Sequence, residues 1–433
     1  MKSLYILAIF CVLFSLHYQR ADGITDVQKS QIENGLKSAA ELMKFFQEKN
    51  FFSMLTKISS VAGPLFSVAN VVLTIVFLFI DTESPEMALM KKEFGKLNNR
   101  LDYWATEFLD VKRKIDWSSV KMSYGDYERS IKTVHRDLQL IVNSPKGMIE
   151  NQKSIFIRKY ESTFSNAADS LYFGMINTDM IFSENLFRAS QKFTEYSRKD
   201  VQDFMTGLFQ LLVQGIQVEA TYVQLKYNNT KASDFLKDVW QKKLVVLKEK
   251  MSQIDEDTKN MFTKQYQTDT DNLLKKYNGL SNQAFSQKAL EFFPKKYYWR
   301  DWFTVTYNDV SGFDNHAVSE CSGTHRFRSY GRNFLISSRD KDTYRFSDQR
   351  KQVQNIMDNY SARPIVHHNR DGALRVVEDL RRLSGDTCIN VYQVSAVQWG
   401  GGVWYWHHGG VLVYKKLCVL AHGYRCYNTF LFG

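Results

Sequence analysis

"ISSVAGPLFSVANVVLTIVFLFI", residues 58–80, is a run of 23 residues without a charged side chain. Its reading decides whether the chain folds as a membrane protein or as a water-soluble bundle. At 1.5 Å per residue a helix of this length covers about 34 Å, enough for a hydrocarbon core of roughly 30 Å. Ser59, Ser60, Gly63, Pro64, Ser67, Asn70 and Thr74 dilute its first two-thirds, so only 71–80 is strongly apolar. A helix apolar on every side is buried, either in protein or in lipid. Three readings stay open. The segment is a shielded bundle helix, a permanent span, or a helix sheltered in water that leaves the bundle to insert. In the third reading the inserting residues are Val71, Val72, Leu73, Ile75, Val76, Phe77, Leu78, Phe79 and Ile80. Gly63 and Pro64 act as the hinge, because proline breaks the helix ladder, and Asn70 and Thr74 face a lumen.

Upstream, "MKSLYILAIFCVLFSLHYQRADG" has a basic start, an apolar run from Leu4 to Leu16 and small residues at Ala21 and Gly23. This is the pattern of a signal peptide over 1–23, and the run is short for a bilayer span. The expected compartment is therefore extracellular. A permanent span just behind a signal would leave the following region in the cytosol, away from disulfide chemistry. Removing Cys11 with the signal leaves Cys321, Cys388, Cys418 and Cys426, an even number that implies two disulfides with three possible pairings. Asn228 and Asn359 head two glycosylation sequons.

Downstream, helical spacing dominates to about residue 292. Met87, Met90, Phe94, Leu97, Leu101, Trp104, Phe108, Val111 and Ile115 alternate in steps of three and four, a heptad seam opened by Ser84-Pro85-Glu86. Tyr124 to Ile141, Phe204 to Leu225 and Trp240 to Ile254 repeat the spacing, while Phe156, Tyr160, Phe164 and Leu171 follow it less regularly. Narrow seams on consecutive helices predict an elongated antiparallel helical bundle over 24–292. Composition changes at Phe292-Phe293-Pro294. Residues 302–310, 388–399 and 410–420 favour strands, and 373–383 reads as a helix. The fold class is thus mainly α, with a smaller disulfide-stapled α+β or β-rich C-terminal domain over 295–433.

The order of three pieces carries a resemblance: "SSVAGPLFSVANVVL", "SPEMALMKKEFGKLNNRLDYWATEFLDVKRKIDW" and "YERSIKTVHRDL". Together they resemble the shared region of the cephalotoxin-like and rapunzel-like proteins. The likeness covers about 25–290 and is strongest over 55–140. It implies a secreted, toxin-like or matrix-associated protein with no cofactor, and it supplies no catalytic residues. The chain departs from rapunzel in carrying a signal pattern.

Chemistry-bearing patterns are sparse. Seven of nine histidines follow residue 315: His316, His325, His367, His368, His407, His408 and His422. No HExxH or CxxC accompanies them, so no metal site is assigned, and a secreted metalloenzyme is the weakest reading. No Walker loop, GxSxG or dinucleotide fingerprint occurs, and no enzyme is expected. "WGGGVWYWHHGG" (399–410) clusters Trp399, Trp404, Tyr405 and Trp406 between glycines. Such a cluster seats a sugar ring, dips into a bilayer interface, or fills a β core. "GTHRFRSYGRNF" (323–334) interleaves Arg326, Arg328 and Arg332 with aromatics, the pattern of a strand with one basic face. The formal charge of +11 favours anionic partners, but it is spread along the chain. Acidic glycan or lipid suits a secreted chain; nucleic acid does not.

The expected function is a secreted toxin that binds target-cell membrane through lipid or surface glycan and forms pores, with possible homo-oligomerisation. The alternative is a non-toxic matrix or glycan-binding protein.

Overall fold

The computed structural model describes residues 26–48, 50–78, 118–177, 185–309, 317–320, 323–341, 370–384, 388–393, 403–420 and 424–432, with isolated positions between. The chain is mainly helical, followed by antiparallel sheets. It divides into two compact units at Asn260/Met261, ahead of the composition change at 292–294.

The first unit is a helical assembly. Its helices are α1 (Asp26–Phe46), α2 (Phe51–Lys57), α3 (Ala62–Leu78), α4 (Ser118–Asn143), α5 (Ile149–Lys159), α6 (Ala167–Ile176), α7 (Leu186–Phe193), α8 (Arg198–Tyr227) and α9 (Thr230–Asn260). The expected seams are buried. Ile131, Val134, Leu138 and Ile141 of α4, and Trp240, Leu244, Leu247, Met251 and Ile254 of α9, all enter one core. α4 stops at Asn143 before Ser144-Pro145, and the Ser144 hydroxyl donates to Leu140 O at 2.6 Å. The irregular spacing from Phe156 to Leu171 has a structural cause. α5 runs into a π turn, Tyr160–Phe164, and the chain breaks at Ser165 before α6. The heptad seam of 87–115 lies outside the described residues.

Among the described helices of this unit α8 is the central one. It packs against α3, α4, α6, α7 and α9 and is buried on nearly every side. The turn to α9 is made by Asn228, left-handed at φ 45°, and Asn229 then caps α9 by accepting from Lys231 N at 2.9 Å.

The second unit has four layers. α10 (Phe262–Lys276) and α11 (Asn282–Lys296) cover one sheet, whose strands order β3 (His325–Ser329), β4 (Arg332–Asp340), β1 (Arg300–Asn308) and β6 (Trp404–His408). The other sheet orders β2 (Ala317–Glu320), β5 (Cys388–Gln393), β8 (Tyr424–Phe432) and β7 (Leu412–Leu420), with α12 (Arg370–Ser384) on its outer face. Alternation along β1 separates the layers. Trp302 joins the helices' aromatic core, whereas Phe303, Val305 and Tyr307 pack between the sheets with Leu335, Phe430 and Phe432. β1 is buried on both faces from Trp302 to Tyr307, the threonines Thr304 and Thr306 included. Ile389, Val391, Val413 and Leu431 bury the amphipathic face of α12.

Two expectations need correction. Pro294 does not end a domain; it lies inside α11, which continues to Lys296. The 323–334 stretch is a hairpin, not one strand. Tyr330 (φ 51°) and Gly331 (φ 72°) make its turn, the geometry that suits two-residue hairpin loops. Arg332 is consequently no surface cation. It is buried, lies over the Phe285 ring at 4.6 Å and donates to Asn278 O and Leu280 O at 3.0 and 2.7 Å.

Candidate functional site

The apolar segment enters the bundle through a bend. Asn50 caps α2 by accepting from Ser53 N at 3.1 Å, and Glu48 accepts from the Ser53 hydroxyl at 2.6 Å. A short 3₁₀ turn, Ile58–Ser60, follows, and the axis turns by 59° between Phe51–Ser60 and Ala62–Asn70. The break thus falls at Val61. Gly63 and Pro64 lie within the first turn of α3, where a missing N–H costs nothing. No packing demands glycine at 63, because a Cβ there meets nothing within 4 Å. Ala62, Leu65, Phe66 and Ala69 repeat at helical spacing and are buried. The diluted first part of the segment is therefore the part with a documented shelter. α3 continues as helix through Leu78, but the side chains of 71–80, the proposed inserting residues, lie outside the described residues. Among the described residues no single helix is long and apolar enough to cross a membrane; the bent pair is the candidate.

A buried ion pair sits beside the lead-in helix. Arg198 Nε donates to Asp255 Oδ1 at 2.9 Å, and a terminal guanidinium nitrogen to Oδ2 at 2.6 Å. Gln202 Nε2 adds a third bond to Oδ1 at 2.7 Å. The guanidinium lies 5.3 Å from the centre of the Phe52 ring. One contact set thus ties the start of α8, the end of α9 and α2. Sequence reading missed it, because Arg198 and Asp255 look like ordinary surface charges on amphipathic helices.

In the second unit the aromatic run is an edge strand, not a core. Register with β1 sets its faces: Thr304 opposes Trp406 and Thr306 opposes Trp404, while Val305 opposes Tyr405. Trp404 and Trp406 therefore lie on the helix side, and Tyr405 lies on the side of the other sheet, 5.7 Å from Tyr414 and 4.9 Å from Phe430. Tyr405, Trp406 and Tyr414 are 41%, 38% and 42% exposed, values that exclude a core role; Trp404 is half-buried. Trp399 lies outside the described residues. The run divides between two faces instead of forming one platform.

Gly409 (φ 64°) and Gly410 (φ 58°) turn the chain from β6 to β7. Asp301 holds that turn by accepting from the Gly410 N–H. Burial pushes its carboxyl up, while Lys341 and that N–H pull it back. A Cβ on residue 409 would overlap the Asp301 carboxylate. Gly409→Ala is expected to lower the stability of the second unit by about 1–3 kcal/mol, from the positive φ and the overlap. Thermal unfolding and acrylamide quenching of tryptophan check it; an unchanged midpoint contradicts this turn geometry.

A family model described as the cephalotoxin-like middle helical domain matches residues 81–279. The chain carries a cephalotoxin-like middle helical domain. The match takes in α4 to α10 and ends at the turn before α11. No curated protein and no solved structure matches the chain significantly.

Around this cephalotoxin-like region the remaining residues distribute as follows. Asn228 is exposed at the tip of the α8–α9 hairpin; Asn359 lies outside the described residues. Cys388 is buried at the start of β5, Cys418 opposes Cys426 on β7 and β8, and Cys321 lies outside the described residues. Among the described residues no group of three or more His, Cys, Asp or Glu is arranged to hold a metal. His407 and His408 are exposed on β6, and His316, His367, His368 and His422 lie outside the described residues.

His325 is the one perturbed histidine among these. It stands edge-on to Tyr266 at 5.0 Å, near Phe327 and the Gln267 amide, and burial holds its pKa below the ordinary value. Folding thus favours the neutral ring. Its contribution is complete above the unfolded value of about 6.5 and is lost as pH falls below it. Acidification from pH 7 to 5 is expected to lower the thermal midpoint of the second unit, by less in His325→Phe. Equal pH profiles for the two proteins contradict that assignment.

Proposed function

We propose that this cephalotoxin-like protein is secreted and perforates target membranes. The observation that carries the reading is the segment from Ile58, uncharged for 23 residues, led in by a 59° bend, with Leu65 and Phe66 sheltered in the bundle. Burying such a side chain is worth about 1.5–3 kcal/mol, and lipid supplies the same burial that protein does. The exchange is therefore near balance. It needs a trigger rather than a large driving force. The exposed edge around Tyr405 and Trp406 supplies the first contact with a lipid or glycan surface, since amphipathic rings favour the membrane interface.

The rest of the reading follows from that compartment. Cys418 opposes Cys426 in the register of β7 and β8, which supports a disulfide between them and, with it, a second between Cys321 and Cys388. Asn228 and Asn359 carry glycans. The protein is not an enzyme, needs no cofactor and has no nucleic-acid partner.

Dye release from vesicles tests perforation. Leakage at micromolar protein supports it. Binding to vesicles or glycans without leakage supports the second reading, an extracellular glycan-binding protein with an inert bundle, which the exposure of Tyr405 and Trp406 favours. Zinc in purified protein, measured by elemental analysis, would instead revive a metalloenzyme.

A further inference from the structure

Helix α8 combines two properties that do not belong together in a water-soluble core. Among the described helices it is the one most enclosed by its neighbours, and one of its faces is polar. Gln202, Thr206, Gln210, Gln214, Gln217, Thr221 and Gln224 recur in steps of four or three. At 3.6 residues per turn they fall on one stripe, about a third of the circumference. Phe204, Leu208, Leu211, Val218 and Tyr222 follow the opposite side. Six of the seven stripe residues are buried, and Thr206 is half-buried.

A helix enclosed on all sides is ordinarily apolar all round. Here the stripe has to find partners inside the bundle, and it does so unevenly. Gln217 Oε1 lies 3.2 Å from His135 Nε2, Gln202 bonds Asp255, and Gln224 donates to Ser233. Gln210 is buried with neither its amide nitrogen nor its oxygen bonded to any described residue. An amide left so costs its desolvation without return. A leucine in its place would suit the bundle better. At position 210 the stripe is therefore not optimised for the folded state in water.

Charge distribution points the same way. Between Asp203 and Glu219, α8 carries no charged residue, although both flanks do. The 15 residues of 204–218 rise about 22 Å. That matches a bilayer thinned locally around a short span. Polar residues at membrane depth face either a bundle interior or a water-filled cavity.

We infer that α8 forms the wall of the pore, with Thr206, Gln210, Gln214 and Gln217 facing the aqueous lumen. This rests on the perforating reading above and deepens it. α3 supplies lipid anchorage, and α8 supplies the water-facing surface. Because the stripe is uncharged, the pore passes hydrated cations and anions with little discrimination. A purely structural stripe, retained to fix helix register, predicts no contact with permeating ions.

Cysteine accessibility in planar bilayers decides between them. Full-length Thr206→Cys, Gln214→Cys and Gln217→Cys proteins form channels and are then exposed to a water-soluble cationic thiol reagent. Current is expected to fall by about twofold or more at each stripe position. It stays constant in Leu208→Cys, on the opposite side, and in the unsubstituted protein, which controls for native cysteines. Thr206→Cys is nearly isosteric and guards against misfolding at the glutamine sites. Gln214→Glu and Gln214→Lys shift the reversal potential in opposite directions. Channels of normal size that ignore the reagent at all three positions overturn the inference and leave perforation standing. An unsubstituted protein without current overturns both.

Discussion

Asp255→Ala is expected to destabilise the helical unit by about 3–5 kcal/mol, because it removes the carboxylate that a buried guanidinium binds through two hydrogen bonds. Arg198 then keeps its place over Phe52 but loses both bonds to the Asp255 carboxylate, and Gln202 loses its bond to Oδ1. Replacing both partners by apolar residues behaves differently. Arg198→Met with Asp255→Leu removes the desolvation penalty together with the attraction, and such exchanges are often neutral. Denaturant unfolding followed by circular dichroism reads both. A cost under about 1 kcal/mol for Asp255→Ala, the range of surface pairs, contradicts a buried latch. The latch also has a functional face. It joins α8 and α9 to α2, the helix that leads into the bend. Asp255→Ala should therefore release dye faster than the unsubstituted protein at equal binding.

Val76→Asp is expected to lower dye release by about 100-fold with vesicle binding intact. Aspartate at the middle of an inserted helix costs about 2.5–3.5 kcal/mol, and each 1.4 kcal/mol is a factor of ten. The contact surface around Tyr405 and Trp406 lies in the other unit, so binding is spared. Val76→Leu serves as the conservative control. If Val76→Asp loses helical signal, Val76→Asn, polar without charge, takes its place. Full leakage from a folded Val76→Asp protein means that this part of α3 never enters lipid.

The extent to which residues announced this structure varies by element. Seams that face a single core were legible. Leu138 and Ile141, or Leu244 and Leu247, are buried where their spacing places them. Periodicity failed where the backbone changes its own period. The π turn at Tyr160–Phe164 displaces every later residue around the helix. Two residues in the left-handed region, Tyr330 and Gly331, fold back what alternation read as one strand. Pro294 misled because a proline near a helix end removes little, and α11 tolerates it. Trp404 and Trp406 were legible as residues and illegible as a surface, since exposure depends on β6 being an edge strand. The polar stripe of α8 stood in plain view as glutamine and threonine at helical intervals. Reading only the apolar seam beside it hid the fact that both sides of the helix are buried.

The exchange of protein shelter for lipid shelter by α3 is tested most directly by labelling from inside the bilayer. Vesicles carrying a photoactivatable probe at mid-chain depth are loaded with dye, treated with protein and illuminated as leakage proceeds. Peptides covering 62–80 should carry the label in proportion to dye released, and none without vesicles. Complete dye release with no label on those peptides contradicts the account.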